Sequence, residues 1–252
     1  MSSKADVIFR GCIYYWLPAC YKKSMMKPKR EIVSRRNRPA KDPLSHEIIV
    51  KTAYELLKQE GTSGMSMRKV AKQLDTGPSS LYVYVKNLQE LSSYVLDLGL
   101  GELNLPEHTD DNWKEQLFQA LHAYGELLIE QPGLAELSLQ TIPIGNNAFR
   151  LNEYLLTVLQ KGGITSTAAA WGTDLLLLYV SSIALEKAKR ASELMATAQS
   201  YYNEADPVRF PLINSLKTDL FSGDTASKER FFWAIEVILQ GIMHKQMGDN
   251  VK

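Results

Sequence analysis

Four histidines, two cysteines and an aspartate set in an apolar run are the residues of this 252-residue chain with the most obvious reactive chemistry. Their spacing builds no reaction centre. His46, His108, His122 and His244 form neither an H-x-x-x-H nor a Glu-x-x-His pattern, so no metal site is expected. No phosphate-binding or dinucleotide glycine fingerprint is present, and Gly162-Gly163 reads as a helix stop. Cys12 and Cys20 both lie near the start, with no cysteine elsewhere. The fold therefore owes nothing to disulfides, which fits a reducing cytoplasm. Asp174, with Trp171 one helical turn before it, reads either as a group facing a ligand cavity or as a satisfied core carboxylate. No cofactor is expected and no catalytic constellation is visible, so the chain does not read as an enzyme.

A second set of side chains suits recognition rather than reaction. Ser66, Arg68, Ser79, Ser80, Tyr82, Tyr84 and Lys86 carry hydroxyls and cations along one short stretch. The elements that position them are two helical patterns meeting at a tight break. Val70, Ala71 and Leu74 give an apolar stripe after a capping serine, Ser66. The pattern stops at Asp75-Thr76-Gly77 and resumes with Pro78, a residue tolerated in a first helical turn. Leu81 and Val85 continue the apolar face, which turns Ser79, Ser80, Val83 and Tyr84 outward. Small residues and flat aromatics on an exposed helix suit entry into a DNA groove, and the arrangement reads as helix-turn-helix.

At these residues the chain resembles the DNA-binding domain of the TetR-type bacterial repressors. Met67-Arg68-Lys69-Val70-Ala71, Leu74 and Leu81-Tyr82-Val83-Tyr84-Val85-Lys86-Asn87 follow the family pattern T-x-R-x-[IVL]-A-x-x-L-G-V-x-x-x-x-L-Y-x-[HY]-[FV]-x-[ND]-K. Three positions depart from it: Asp75 stands at the usual turn glycine, Thr76 at the usual valine and Leu88 at the usual phosphate-touching lysine. The resemblance implies a homodimer with its N-terminal domains in successive major grooves of a palindromic operator. It further implies a small molecule in the C-terminal domain that alters the spacing of the two heads, with repression as the sense. Carried over residue by residue, Arg68 is a candidate for base or phosphate contact. Pro78, Ser79 and Ser80 would lie over base edges, Tyr82, Tyr84 and Lys86 would contact the backbone, and Gly77 is a further DNA-binding candidate. Ser66 could donate to a phosphate at its helix N-terminus. His122 and Tyr124 lie on the helix that in relatives helps line the inducer pocket, though singly they read as ordinary surface and core positions. With Trp171 and Asp174 they complete the candidate ligand set.

The remaining chain reads as all-α, in three parts. Residues 1–44 are an N-terminal extension and basic arm, 45–106 the helix-turn-helix domain, and 107–252 a larger helical ligand-binding and dimerisation domain. The net charge of +1 hides a segregation, because residues 1–44 carry eleven Lys/Arg against Asp6, Glu31 and Asp42. A basic arm with an acidic body follows. Residues 1–26 read as an upstream extension, with Met25 or Met26 as alternative starts. Placed before a DNA-binding domain, residues 27–44 are expected to contact phosphates or the minor groove. Helices are expected at His46–Glu60, after Asn87 as far as about Leu100 with Gly99, Gly101 and Pro106 ending it, from Trp113 to Gln131, Leu134–Gln140, from Asn146 to Lys161, Thr165–Lys189, Arg190–Asn203 and Ser227–Gln246. Pro207 and Pro211 are expected to break Asp206–Leu220. The helix from Thr165 is apolar enough to invite a membrane reading, but Asp174 and Ser181-Ser182 favour a core or subunit-interface helix, so no membrane is expected. Two other classes stay open: an all-α enzyme or small-molecule carrier with a degenerate helix-turn-helix, and a membrane-associated helical protein.

Overall fold

The computed structural model describes residues 43–107, 112–189, 192–220 and 227–248. The expectations for residues 1–42, including the arm and both cysteines, and for His108 lie outside these. All regular elements among the described residues are α-helices, and residues 44–252 cluster as one compact unit.

The first four helices start and stop on local chemistry. Helix α1 (His46–Glu60) begins where the Ser45 hydroxyl accepts the Ile48 N–H at 3.2 Å. It ends at Gly61, whose φ of 67° suits a residue without a Cβ. Helix α2 (Met67–Gln73) is capped by Ser66, which accepts the Lys69 N–H at 3.3 Å. Helix α3 (Pro78–Leu81) is a single turn with proline in its first position. It is shorter than the apolar spacing predicts: residues 82–84 form a turn, and Val85 returns to the core from outside the helix. Helix α4 (Leu88–Leu100) is capped by Asn87, which takes the Glu90 N–H at 2.8 Å. The Glu90 carboxylate reaches back to the Lys86 N–H, one residue earlier than in a standard capping box.

The larger bundle follows with α5 (Trp113–Glu130), α6 (Pro132–Gln140), α7 (Asn146–Lys161), α8 (Ser166–Lys189), α9 (Ser192–Asn203), α10 (Pro211–Leu220) and α11 (Ser227–Gly248). Three prolines and glycines behave differently from expectation. Pro132 and Pro211 open α6 and α10 instead of standing outside or breaking them, because a first-turn residue needs no N–H partner. Gly99 does not end α4 but sits buried inside it, where a Cβ would come within 2.5 Å of Leu134 on α6. Its lack of a side chain sets the close approach of those helices.

One hydrophobic core runs through the described chain. Ile49, Ala53, Val70, Ala71 and Leu81 pool beneath the first three helices and meet Leu91 and Val95 of α4. The same core continues through Leu117, Leu121, Leu128, Leu155 and Leu176. Helix α8 packs on α5, α6, α7 and α11, which explains why it is apolar on several sides at once. By length and composition it is the one helix among the described residues that could cross a membrane.

Candidate nucleic-acid interface and ligand cavity

The polar residues between Ser66 and Lys86 lie on α2, α3 and the turns beside them, and α2 packs on α3. Arg68, Gly77, Pro78 and Ser79 are exposed, Ser80 is half-buried, and Tyr82 and Lys86 face solvent. Val83 is 80% exposed at the tip, an apolar contact surface beside hydroxyls and a cation. Ser66 is half-buried and its Oγ already accepts the Lys69 N–H, which leaves the hydroxyl hydrogen for an anion at the α2 N-terminus. Lys69 is tied down instead, with its Nζ 2.6 Å from Glu60. Tyr84 is a mixed case: its ring edge is exposed, but its hydroxyl donates to the Leu44 carbonyl at 2.6 Å. That bond joins the reading surface to the residue where the basic arm enters the fold.

Asp75 occupies the turn between α2 and α3 with φ of 49°, the one positive value at a non-glycine residue among those described. Aspartate tolerates this region better than most L residues, which is why it can replace glycine here.

Helix α4 connects this end to the bundle through a series of bonds along its length. The Ser93 hydroxyl meets Thr141 Oγ1 at 2.6 Å, and the Ser93 carbonyl accepts the Ile144 N–H at 3.2 Å. Asp97 caps α7 from outside: Oδ1 accepts the Ala148 N–H at 2.8 Å, and Oδ2 accepts from Asn147 Nδ2 at 3.2 Å. Arg150 donates to the Leu103 carbonyl at 2.9 Å just past the helix end. A second junction lies at Tyr54 of α1, whose hydroxyl divides one proton between Glu102 at 2.9 Å and Gln131 at 2.8 Å. Burial first, then the neighbouring Glu102 carboxylate, pushes the Tyr54 phenol upward. Lys58 Nζ stands 2.7 Å from Glu102, and that bond chiefly holds the Glu102 carboxyl below its ordinary range.

Of the four ligand candidates, the structure brings His122 alone to a cavity. An open cleft with about 450 Å³ of empty space lies between α5, α8 and α11. His122, Gly125, Glu126 and Ile129 line it from α5, and Val180, Ile183, Ala184 and Lys187 from α8, each at i, i+3, i+4, i+7. Lys228 and Phe231 close it from α11. His122 stacks on Phe232 at 6.1 Å and meets the edge of Phe231 at 6.2 Å. Sequence reading missed all of these but His122, although the two matching stripes were a usable signal. Tyr124 is instead core: buried, with its hydroxyl 2.9 Å from Ser181 Oγ and its phenol pushed up by burial.

Trp171 and Asp174 lie apart from that cleft. Asp174 is exposed, neither cavity-facing nor a core carboxylate. Trp171 is 73% exposed and lines a different feature, an apolar groove between α8 and α11 with about 750 Å³ of empty space. Ala168, Trp171, Gly172 and Leu175 form its α8 wall, and Val237 and Gly241 stand opposite. The stripe from Val180 starts twelve residues after that from Ala168, about 120° further round the helix, so the cleft and the groove use different faces of α8.

Comparison with known proteins matches this division of labour. Residues 49–92 match the model described as bacterial regulatory proteins, tetR family, and residues 105–246 that described as tetracyclin repressor-like, C-terminal domain. The chain is 31% identical to the Streptomyces coelicolor TetR family protein ActR in complex with actinorhodin, covering 81% of this chain and 98% of that one with a TM-score of 0.73. The transcriptional repressor DrrR1 of Streptomyces coeruleorubidus is 27% identical over 226 residues, 82% of this chain and 80% of its own. Against an HTH-type transcriptional regulator of Saccharopolyspora erythraea, 29% identical, the match spans about half of each chain, 48% and 51%. The chain belongs to the TetR family of bacterial regulatory proteins, the ligand-responsive DNA-binding transcriptional regulators.

Proposed function

We propose that the protein is a homodimeric, cytoplasmic repressor that holds a palindromic operator and is released from it by a small molecule. The observation that carries this reading is the link between two separate surfaces. An exposed one-turn helix with two serines lies between Arg68 and Lys86 in the chain, an aromatic cleft opens in the bundle, and α4 bonds to α7 and to the loop before it. Ser79, Ser80 and Val83 meet base edges, while Arg68, Tyr82 and Lys86 neutralise or hydrogen-bond phosphates. Ser66 adds a donor where the α2 dipole favours an anion, and Gly77 and Pro78 let the backbone come close. Tyr84 acts through its ring, since its hydroxyl is engaged with Leu44.

The second copy docks on the α8–α11 groove. Trp171 is 73% exposed there and shares the groove with exposed Leu175 and Val237, and Trp233, one helical turn before Val237 on α11, is 67% exposed, apolar surface of the kind that pairs isologously. That the similar protein ActR is solved in complex with actinorhodin supports a small-molecule ligand for this chain too. An enzyme or carrier reading is not favoured, because the relatives are named as regulators. Selection of binding sites from a random duplex library tests the proposal. The expected product is an inverted repeat bound by a dimer, and recovery of no preferred sequence would overturn it.

A further inference from the structure

We infer that Gln131, held between Tyr54 and Glu102, is a positioning residue that fixes the angle of the DNA-binding head on the bundle and so makes the protein strict about half-site spacing. The inference rests on the dimeric operator reading and adds the side chains that enforce the spacing.

Tyr54 is a phenol where a phenyl ring would pack as well. It is only 4% exposed, and a buried hydroxyl is tolerated when it finds partners. The partners are Gln131 Oε1 at 2.8 Å and Glu102 Oε1 at 2.9 Å. The Gln131 amide nitrogen donates to Glu102 Oε2 at 2.7 Å, which turns the amide oxygen toward the phenol. Lys58 holds the same carboxylate from α1 at 2.7 Å. Tyr54 and Lys58 belong to α1 and Glu102 follows α4, so Gln131 is the bundle's member of this ring. Its bonds to Tyr54 and to Glu102 both cross from bundle to head.

Gln131 does not owe this geometry to its own helices. It stands at the break between α5 and α6, where its side chain makes no cap bond and its backbone N–H donates to the Leu127 carbonyl. Two residues on, Gly133 lets α6 come close against α1, since a Cβ there would stand 2.7 Å from Leu57. A head held along α4 alone could still turn about that helix. A second hold on α1, off the α4 axis, removes the rotation.

One base pair more or less between half-sites shifts them by about 3.4 Å and turns them by roughly 35°. Two heads follow such a change only by turning on their bundles, which breaks the Gln131 bonds. On the matched operator the same bonds stay whole. Their strength therefore enters the penalty for wrong spacing and not the affinity for the right one.

The test uses the full-length protein and three duplexes: the operator selected from a random library, and the same half-sites moved one base pair closer or further apart. Wild type should bind both shifted duplexes more weakly than the selected one. In Gln131→Ala that gap should narrow about fivefold, the factor represented by one ordinary hydrogen bond. Tyr54→Phe should narrow it too, and the double variant no further than Gln131→Ala, because the single changes share a bond. Circular dichroism reports that each variant is folded. A residue that merely supported the fold would weaken all three duplexes by one factor and leave their ratio alone. An unchanged ratio in either single variant, or a double variant that narrows it well beyond Gln131→Ala, overturns the assignment while the dimeric reading stands. A wild type indifferent to spacing overturns both.

Discussion

Asp75 holds the turn before the reading helix in a backbone conformation that glycine enters at little cost, with φ of 49°. Left-handed backbone costs an L residue on the order of 1 kcal/mol, less for aspartate, and glycine gives back part of that gain as unfolded-state entropy. The two backbone effects nearly cancel and the Asp75 side chain has a partner of its own, so Asp75→Gly is expected to leave the urea midpoint no higher than that of the wild type, with an unchanged slope. The reading surface itself divides into two kinds of residue. In the proposed reading, Ser80, half-buried on α3, would discriminate bases, whereas exposed Lys86 would meet only charge. Ser80→Ala should alter preference at a few operator positions. Lys86→Ala should weaken all sequences alike and reduce the salt slope by about one. Uniform loss for Ser80→Ala in a gel-shift panel would remove its base-contact role.

Helix α4 draws its position from partners far along the chain. Asp97 serves as the N-cap of α7, so Asp97→Ala leaves the Ala148 N–H without its acceptor. A loss of about 1 kcal/mol is expected, the ordinary value of a cap, together with weaker coupling between ligand and operator. Thermal melts and release titrations check the two parts. At the other junction Lys58 lowers the Glu102 carboxyl below its ordinary value of 4.5. A depressed carboxylate contributes stability above its unfolded value and loses it as pH falls through the folded one. Glu102→Gln should therefore be less stable than the wild type at pH 6, by no more than about 1 kcal/mol for so exposed a pair, and the difference should vanish toward pH 3. Such long-range bonds explain what the sequence shows and hides. Ser45, Ser66 and Asn87 are caps legible from three or four neighbouring residues, and helix periodicity located the bundle for the same reason. Asp97 meeting Ala148, or Gly99 against Leu134, depends on which helices become neighbours, and no local pattern encodes that. That Trp171 and Asp174 lie on exposed faces of α8 was not legible either, because an apolar helix does not announce which of its faces lies at the surface.

In the proposed reading, two copies would place their heads in successive grooves. The exposed wall of the groove makes Val237→Glu the informative change, since Ile238 is half-buried against its own bundle. A carboxylate placed there must be buried unpaired in a dimer, a penalty of several kcal/mol. Sedimentation should show a folded monomer that binds a full palindrome no better than a half-site, because the heads no longer share a fixed separation of about 34 Å. A tight, dimeric Val237→Glu protein would place the interface elsewhere. The basic arm is expected to add affinity without selectivity. Truncation to Leu44 should weaken operator binding strongly at low salt and little at high salt.

The bonds of α4 to Thr141, Ile144 and Ala148 also fix a gear ratio. Ser93 and Asp97 are four residues apart, about 6 Å along the helix, so a 1 Å slide at Asp97 about a fulcrum at Ser93 tilts α4 by about 10°. A contact point about 15 Å beyond that fulcrum, the length of ten helical residues, then swings through about 2.5 Å. Mirrored by a second copy, the travel approaches 5 Å, more than one 3.4 Å step along a strand. In the proposed dimer, a displacement too small to disturb the packing of the bundle would thus be geared up into a register error on DNA, and the operator would be lost by misalignment rather than by any weakening of single contacts.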